Sequence, residues 1–251
     1  MALTEQGDKL FTWGQGKFGA LGLSRSQNMK VPVEVELAFG TRILVIAAGA
    51  RHSAFITEQK ELYMFGLGAH GQLGLGEECT DRAFKPEKVD IGPKNQVEHV
   101  ALGDTHSLIL TTRGYLMSTG ANDKYQLGIS PDKRGLKLFR FKKIMEFKTG
   151  EQTGTILTHK EVTFKKIFSW NLNAAIDDQD RVYLWGILHD KQVKLSLCIK
   201  VPERVNSFLV DNVAIGPTMA LLVDKETYQP CVIGVNAKGE LVVYCPHDGT
   251  G

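Results

Sequence analysis

Leu62-Tyr63-Met64-Phe65-Gly66-Leu67-Gly68-Ala69-His70-Gly71-Gln72-Leu73-Gly74-Leu75 is an apolar run that stops on glycine, turns through more glycines and reaches a Leu-Gly pair. The same order appears upstream, from Leu10-Phe11-Thr12-Trp13-Gly14 to Leu21-Gly22-Leu23. It appears downstream as well, from Leu116-Met117-Ser118-Thr119-Gly120 to Leu127-Gly128-Ile129. Fainter copies end at Gly186, after Val182-Tyr183-Leu184-Trp185, and at Gly234, after Cys231-Val232-Ile233. Successive anchoring glycines lie 52, 54, 66 and 48 residues apart. Self-similarity at that period predicts a solenoid or a propeller.

Each anchor is preceded by a hairpin pattern. Ser53 to Thr57 leads through Glu58-Gln59-Lys60-Glu61 into Leu62, and Ser107 to Thr111 leads through Thr112-Arg113-Gly114 into Tyr115. Ala174-Ala175-Ile176 leads through Asp177-Asp178-Gln179-Asp180 into Val182. Short β-rich runs joined by polar turns read as antiparallel strands. Several are apolar on both faces, which suits sheets stacked between other sheets. Upstream of the hairpins lie Ile43 to Gly49 and Val97 to Gly103, with blurred copies at Phe164 to Ser169 and Val210 to Gly216. Pro32, Pro86 and Pro202 fall in the expected connections, where a missing donor is tolerated. Four short strands per repeat is the content of a propeller blade. The WD period of ~40–45 residues does not fit, and the paired-glycine mark of kelch repeats is missing.

The order strand, Trp-Gly, glycine-rich turn, Leu-Gly, Pro, apolar strand, Gly, then His-Ser resembles the regulator of chromosome condensation repeat. Its anchors here are Trp13, Gly14, Gly22, Gly49 and His52, then Gly66, Gly74, Gly103 and His106, then Gly120, Gly128 and Gly186. The match is specific over residues 1–130 and degenerate beyond, where the His position reads as Asn173 and then Met219 and Trp170 stands near an expected glycine. The resemblance implies an all-β propeller of such blades. Family propellers usually have seven; about four to five repeats are legible here, which predicts an open or incomplete ring. Both ends carry the same half of a blade, Leu3 to Trp13 and Ala220 to Ile233, so an open arc completed by another chain, a fragment and diverged blades all remain open readings.

Composition sets wide bounds. The 251 residues are 43% hydrophobic and 23% charged with a formal net charge of +2, which excludes a strongly basic nucleic-acid binder as a whole. No apolar run approaches the ~18 residues of a membrane helix, and the first residues do not form a secretory signal. Cys79, Cys198, Cys231 and Cys245 are scattered without a C-x-x-C pair, so they are expected to be thiols in a reducing compartment. A cytoplasmic or nuclear location follows.

The motifs that suggest chemistry have plainer explanations. Gly14-Gln15-Gly16-Lys17-Phe18-Gly19 and Gly66-Leu67-Gly68-Ala69-His70-Gly71 both spell G-x-G-x-x-G. A dinucleotide site needs a helix after them. None is indicated, and the motif recurs in frame, so glycine turns are expected rather than a cofactor loop. His52 and His106 are equivalent positions, but zinc needs three or four convergent ligands, and a histidine hydrogen-bonding backbone beside the turn is expected. Asp177-Asp178-Gln179-Asp180 aligns with hairpin turns. No P-loop, H-E-x-x-H or G-x-S-x-G occurs. The reading is a non-enzyme without catalytic, cofactor or metal residues.

The interval from Gly120 to Gly186 is the one that breaks the period. Residues 130–166 hold ten Lys/Arg against four acids, a local +6 that leaves −4 for the rest. Phe139 and Phe141 alternate with Arg140 and Lys142, giving a strand with an apolar and a basic face. Insertions in repeat proteins are often binding elements, and a basic one suits an acidic partner. Lys133, Arg134, Lys137, Arg140, Lys142 and Lys143 are the candidate partner contacts. Lysines also blunt exposed strand edges, which is the plainer account of the same residues. Residues 1–251 are read as one repeat domain with a basic insertion at about 130–166. Its expected function is protein interaction as a scaffold. The resemblance adds one alternative, nucleotide exchange on a Ran-like small GTPase, and the basic insertion adds another, association with chromatin or nucleic acid. Expected partners are other proteins, including a small GTPase or a chain completing the propeller, with no membrane and no cofactor.

Overall fold

In a computed structural model, residues 1–79, 81–129, 137–148, 156–158, 161–190, 195–204, 210–215, 220–235 and 241–244 are described. The strands form five sheets. The first is β1 (Ala2–Leu3), β2 (Leu10–Gly14) and β3 (Met29–Glu34), paired in that order. The second is β4 (Ile43–Ala48), β5 (His52–Thr57), β6 (Leu62–Leu67) and β7 (Arg82–Lys88). The third is β8 (Val97–Leu102), β9 (His106–Thr111), β10 (Leu116–Ala121) and β11 (Lys137–Lys143). The fourth contains β12 (Glu146–Lys148), β13 (Ile156–Thr158), β14 (Phe164–Ser169), β15 (Leu172–Asp177), β16 (Val182–Asp190) and β17 (Leu195–Arg204), in the order β13-β12-β17-β16-β15-β14. The fifth is β18 (Val210–Ile215), β19 (Ala220–Asp224), β20 (Pro230–Val235) and β21 (Leu241–Tyr244). Apart from β12 on β17, every pairing is antiparallel, and among the described residues no sheet joins strands from the two ends of the chain.

The chain divides into two compact units, Met1–Asn122 with Leu136–Lys143, and Asp123–Gly135 with Ile144–Gly251. In the first unit β5 and β9 are buried along their whole length, while the outer strands β3 and β7 are largely exposed and β11 alternates between half-buried and exposed residues. Leu10, Phe55, Met64, Phe65, Val97 and Ile109 belong to its core, where the rings of Phe55 and Tyr63 stack 5.0 Å apart. In the second unit Phe147, Phe164 and Tyr183 pack their rings together, with centroids 5.0 to 6.0 Å apart. Cys231 in this unit is disulfide-bonded and Cys79 in the first is a free thiol. The expectation of four thiols therefore fails at Cys231; spacing along the chain says nothing of cysteines that folding brings together. Among the described residues, no helix is long and apolar enough to cross a membrane.

Four of the five anchoring glycines are β-bulges; Gly234 pairs in register with Val242. Pairing with the outer strand slips between Thr12 and Gly14, Met64 and Gly66, Ser118 and Gly120, and Leu184 and Gly186. At each slip the glycine takes a positive φ, between 102° and 114°. A Cβ at Gly66 would lie 2.6 Å from Arg51 O and His52 Cα, and one at Gly120 would lie 2.5 Å from Thr105 O and His106 Cα. At Gly14 nothing lies within 4 Å. Strain is thus common to all these positions, but backbone collision arises only where an inner strand runs alongside. Gly120→Ala and Gly66→Ala should each lower stability by about 3 kcal/mol or more, against about 1–2 kcal/mol for Gly14→Ala. Denaturant unfolding of the three variants measures the difference.

The period-breaking segment resolves into two parts. Residues 137–143 are not an added projection but the fourth strand of the third sheet, matching β7 in the second: Gly66 pairs with Ala83 and Gly120 with Leu138. The surplus is the hairpin β12–β13, which extends the fourth sheet beyond β17, where Lys148 stands opposite Glu203. Pro32, Pro86 and Pro202 lie inside outer strands rather than in connections. They occupy one register, each directly before the residue paired with Thr12, Met64 or Leu184. The N–H groups of Val35 and Val89 donate inward to Leu10 and Leu62, so the two-residue alternation of the ladder turns Pro32 and Pro86 outward. The missing donor costs nothing there. Ser118 pairs with Lys142, so the same position in β11 is Phe141.

Candidate interaction surface

The site grows from how a glycine loop of one repeat meets the next sheet. After β6 the loop closes by two turns, Gly71 N–H to Gly68 O and Gly74 N–H to Gly71 O, and Gly19 and Gly22 repeat the pattern after β2. The first G-x-G-x-x-G ends in a three-residue 3-10 turn, Lys17–Gly19, and among the described residues no helix follows either motif, so the turn reading accounts for both. The loops leave a carbonyl pointing at the following sheet. Ser53 Oγ donates to Ala20 O at 2.9 Å, and Ser107 Oγ donates to Gln72 O at 2.7 Å. In the second unit Asn173 Nδ2 and Trp185 Nε1 both donate to Gln126 O, at 2.9 and 3.0 Å.

The register corrects one alignment. Leu172, not Asn173, pairs with Gly186 as His52 pairs with Gly66 and His106 with Gly120. The connection from Ser169 to Asn173 is one residue shorter than those from Ala48 to Ser53 and Leu102 to Ser107, which moves Asn173 to the serine position. Gln72 and Gln126 are buried members of this set that the sequence reading passed over, although Gln72-Leu73-Gly74 and Gln126-Leu127-Gly128 announce them. Gln126 Nε2 donates to Asp123 Oδ1, whereas the equivalent Gln72 Nε2 has no partner. Ala69 stands where Asp123 would be.

His52 belongs to the same interlock. Its Nε2 lies 2.8 Å from Ser107 Oγ, and that hydroxyl gives its proton to Gln72 O, so the imidazole donates through Nε2–H. The partner is a side chain of the next repeat rather than backbone. Complete burial, with His106 nearby, pushes its pKa down to about 3. Among the described residues no three His, Cys, Asp or Glu side chains are placed to hold a metal.

The described basic candidates lie along β11. Lys137, Arg140 and Lys142 are exposed; Leu138, Phe139, Phe141 and Lys143 are half-buried. Lys133 and Arg134 lie outside the described residues. Lys137 Nζ donates to Ala69 O at 3.4 Å, and Arg140 Nη2 pairs with Glu78 Oε1 at 2.7 Å, a solvent-exposed pair worth at most ~1 kcal/mol. Among the described residues Lys142 has no ionic partner. Lys143 Nζ sits 3.1 Å from the centre of the Tyr115 ring. In the second sheet the equivalent Lys88 pairs instead with Glu61 Oε1 at 2.6 Å. Exchange of that carboxylate for a ring leaves β11 positive. Burial, then repulsion from Arg113, holds the Lys143 ammonium below its ordinary pKa, while the Glu61 hydrogen bond raises Lys88. The acidic run is a hairpin turn, as read: Asp177 is buried and accepts from Gln179 N, Arg181 N and Arg181 Nε, and Asp180 pairs with Lys165 and Lys225.

These sheets are the blades of a β-propeller. The solved structure of Prp20p from Saccharomyces cerevisiae, described with its binding properties to Gsp1p and histones, superimposes with a TM-score of 0.76 at 20% identity, over 98% of this chain and 63% of that one. Residues 8–56 and 61–110, and by a second profile 43–72 and 97–126, match the regulator of chromosome condensation (RCC1) repeat, and residues 8–126 belong to that family. The ultraviolet-B receptor UVR8 of Arabidopsis thaliana is 29% identical over 192 residues, 74% of this chain and 38% of its own length. The guanine nucleotide exchange factor SRM1 of Saccharomyces cerevisiae is 32% identical over 133 residues, 52% of this chain and 27% of its own. The chain therefore spans less than two thirds of each of these relatives.

Two measurements follow from the geometry. The unfolded chain protonates His52 near the ordinary 6.5, and the folded chain holds it neutral to about 3. Its contribution is complete above pH 6.5 and is lost as pH falls toward 3, by up to tenfold in the unfolding constant per pH unit. Denaturation midpoints between pH 7 and 4 should show this slope, reduced by one proton in His52→Asn. Lys143, with its lowered pKa, should be acylated faster than Lys88 by an amine-reactive reagent near pH 8, read by peptide mass spectrometry.

Proposed function

We propose that this chain is a non-catalytic protein-interaction propeller, binding through the positive outer face of β11. The observation that carries the reading is Lys142 and Lys143 on an outer strand where the equivalent lysine of the second sheet is matched by a carboxylate. The buried polar groups support it from the other side. His52, Ser107, Gln72 and Asn173 are buried and committed to joining sheets and loops. The reading takes residues 1–251 as a single platform and places the chain in the cytoplasm or nucleus.

Nucleotide exchange on a small GTPase is the second reading, favoured by the similarity to the exchange factor SRM1. It too needs no acid, base or nucleophile, since a protein that binds the nucleotide-free GTPase more tightly weakens nucleotide binding by the same factor. Association with nucleic acid ranks below both, because Arg140 of the basic set is already paired with Glu78.

The deciding experiment uses the whole chain as bait for quantitative crosslinking from its native extract, alongside Lys142→Glu/Lys143→Glu. A stoichiometric protein partner retained by the wild type and lost by the double variant is the expected result. Recovery of no partner would sink the interaction reading. In parallel, nucleotide release from a panel of small GTPases should be unchanged by stoichiometric protein; acceleration would give the function to exchange instead.

A further inference from the structure

β11 differs from its counterparts in a way that bears on what it binds. An exposed outer strand is a template for another strand, and proteins blunt such edges with proline or with charge. β3, β7 and β17 carry proline at one register, Pro32, Pro86 and Pro202. At that register β11 has Phe141, so its edge keeps an outward N–H that the other three lack. Charge takes the place of proline: four of its seven residues are cationic and none is acidic. A second β11 would be repelled, whereas an acidic strand would be attracted.

Part of the edge is already used. Gly76 N–H donates to Phe139 O at 2.8 Å, as Ser24 N–H donates to Phe84 O in the second sheet. Among the described residues, what stays open runs from Phe141 to Lys143. The chain itself shows that this stretch of an outer strand accepts another strand. In the fourth sheet β12 adds in parallel to β17 with Lys148 opposite Glu203, the register of Lys142; beside Pro202 that addition is confined, among the described residues, to this one pair, a limit that Phe141 does not impose on β11.

Taking the interaction reading above as its basis, we propose that the edge of β11 at Phe141–Lys143 binds an extended acidic segment of a partner protein by strand addition. Backbone hydrogen bonds to Phe141 and Lys143 supply affinity. Lys142, Lys143 and Arg113 select for carboxylate side chains on the incoming strand. This is β-augmentation of a blade, with polarity set by charge.

The test uses the full chain and a fluorescein-labelled short peptide in which glutamate alternates with valine, followed by fluorescence anisotropy. The wild type should bind it saturably and should ignore the lysine–valine counterpart. Phe141→Pro should raise Kd at least tenfold. Its backbone is the one three other outer strands adopt, and Phe141→Val, which keeps the N–H, controls for loss of the ring and should stay within about threefold. Lys142→Glu/Lys143→Glu should also raise Kd at least tenfold. Hydrogen exchange on the wild type provides a readout independent of any variant: the Phe141 and Lys143 amides should slow on peptide binding. Absence of saturable binding, equal affinities of Phe141→Pro and Phe141→Val, or unchanged exchange at both amides would each overturn the proposal. So would mass that rises with concentration in the wild type and not in Phe141→Pro, which would make a second copy the occupant. A chain that ignores the peptide but retains its crosslinked partner overturns strand addition alone; a chain with no partner overturns the interaction reading.

Discussion

A buried carbonyl with no partner in its own turn organises this fold. Gln72 and Gln126 each present one at the end of a glycine loop, Ala20 presents a half-buried one, and an unsatisfied buried carbonyl costs about 1–3 kcal/mol. The donor comes each time from the next sheet. Two are serines and one is an asparagine helped by an indole, so the constraint is on reach and proton, not on residue type. His52 adds a second layer by donating to the serine that has already given its proton away. The bulged glycines upstream aim the loops, which is why a backbone oddity recurs at a spacing of about fifty residues.

The outer edges show the same sequence meeting one hazard by two means. Proline removes the donor in three outer strands, and lysine and arginine guard β11. The two devices are not equivalent. Proline removes one donor whatever strand arrives, and beside Pro202 the added strand β12 pairs at a single residue, whereas charge discriminates among the strands that approach. The second sheet illustrates the contrast at a single position: Lys88 is neutralised by Glu61, and Lys143 rests on a ring that attracts it without cancelling its charge.

Much of this was legible in the residues. The period, the hairpins, the anchoring glycines and the turn character of both G-x-G-x-x-G stretches follow from where glycine and apolar residues fall, and the alternation of Phe139, Arg140, Phe141 and Lys142 marks a strand. Two things were not. A connection shortened by one residue before Leu172 moves Asn173 from the histidine register to the serine register, and only strand pairing shows the slip. The fourth strand of the third sheet was taken for the start of an insertion because its proline is missing and surplus residues follow it. The surplus belongs to β12 and β13, one sheet further on. Patterning reports what each segment is, but where two strands pair is a property of the assembled ladder.

The parallel contact between β12 and β17 sets the fourth sheet apart in time as well as in topology. Every other pairing links strands that follow one another along the chain, apart from the β13–β12–β17 side of this sheet. Lys148 and its partner Glu203 are separated by roughly fifty-five residues. On a ribosome the hairpin bearing Phe147 emerges well before the strand that receives it. Its aromatic face, which ends up against Phe164 and Tyr183, must wait in solvent or under a chaperone until those strands arrive. A chain of otherwise local pairings thus contains one late joint, and that joint defines the interval in which the nascent protein is most exposed to mispairing.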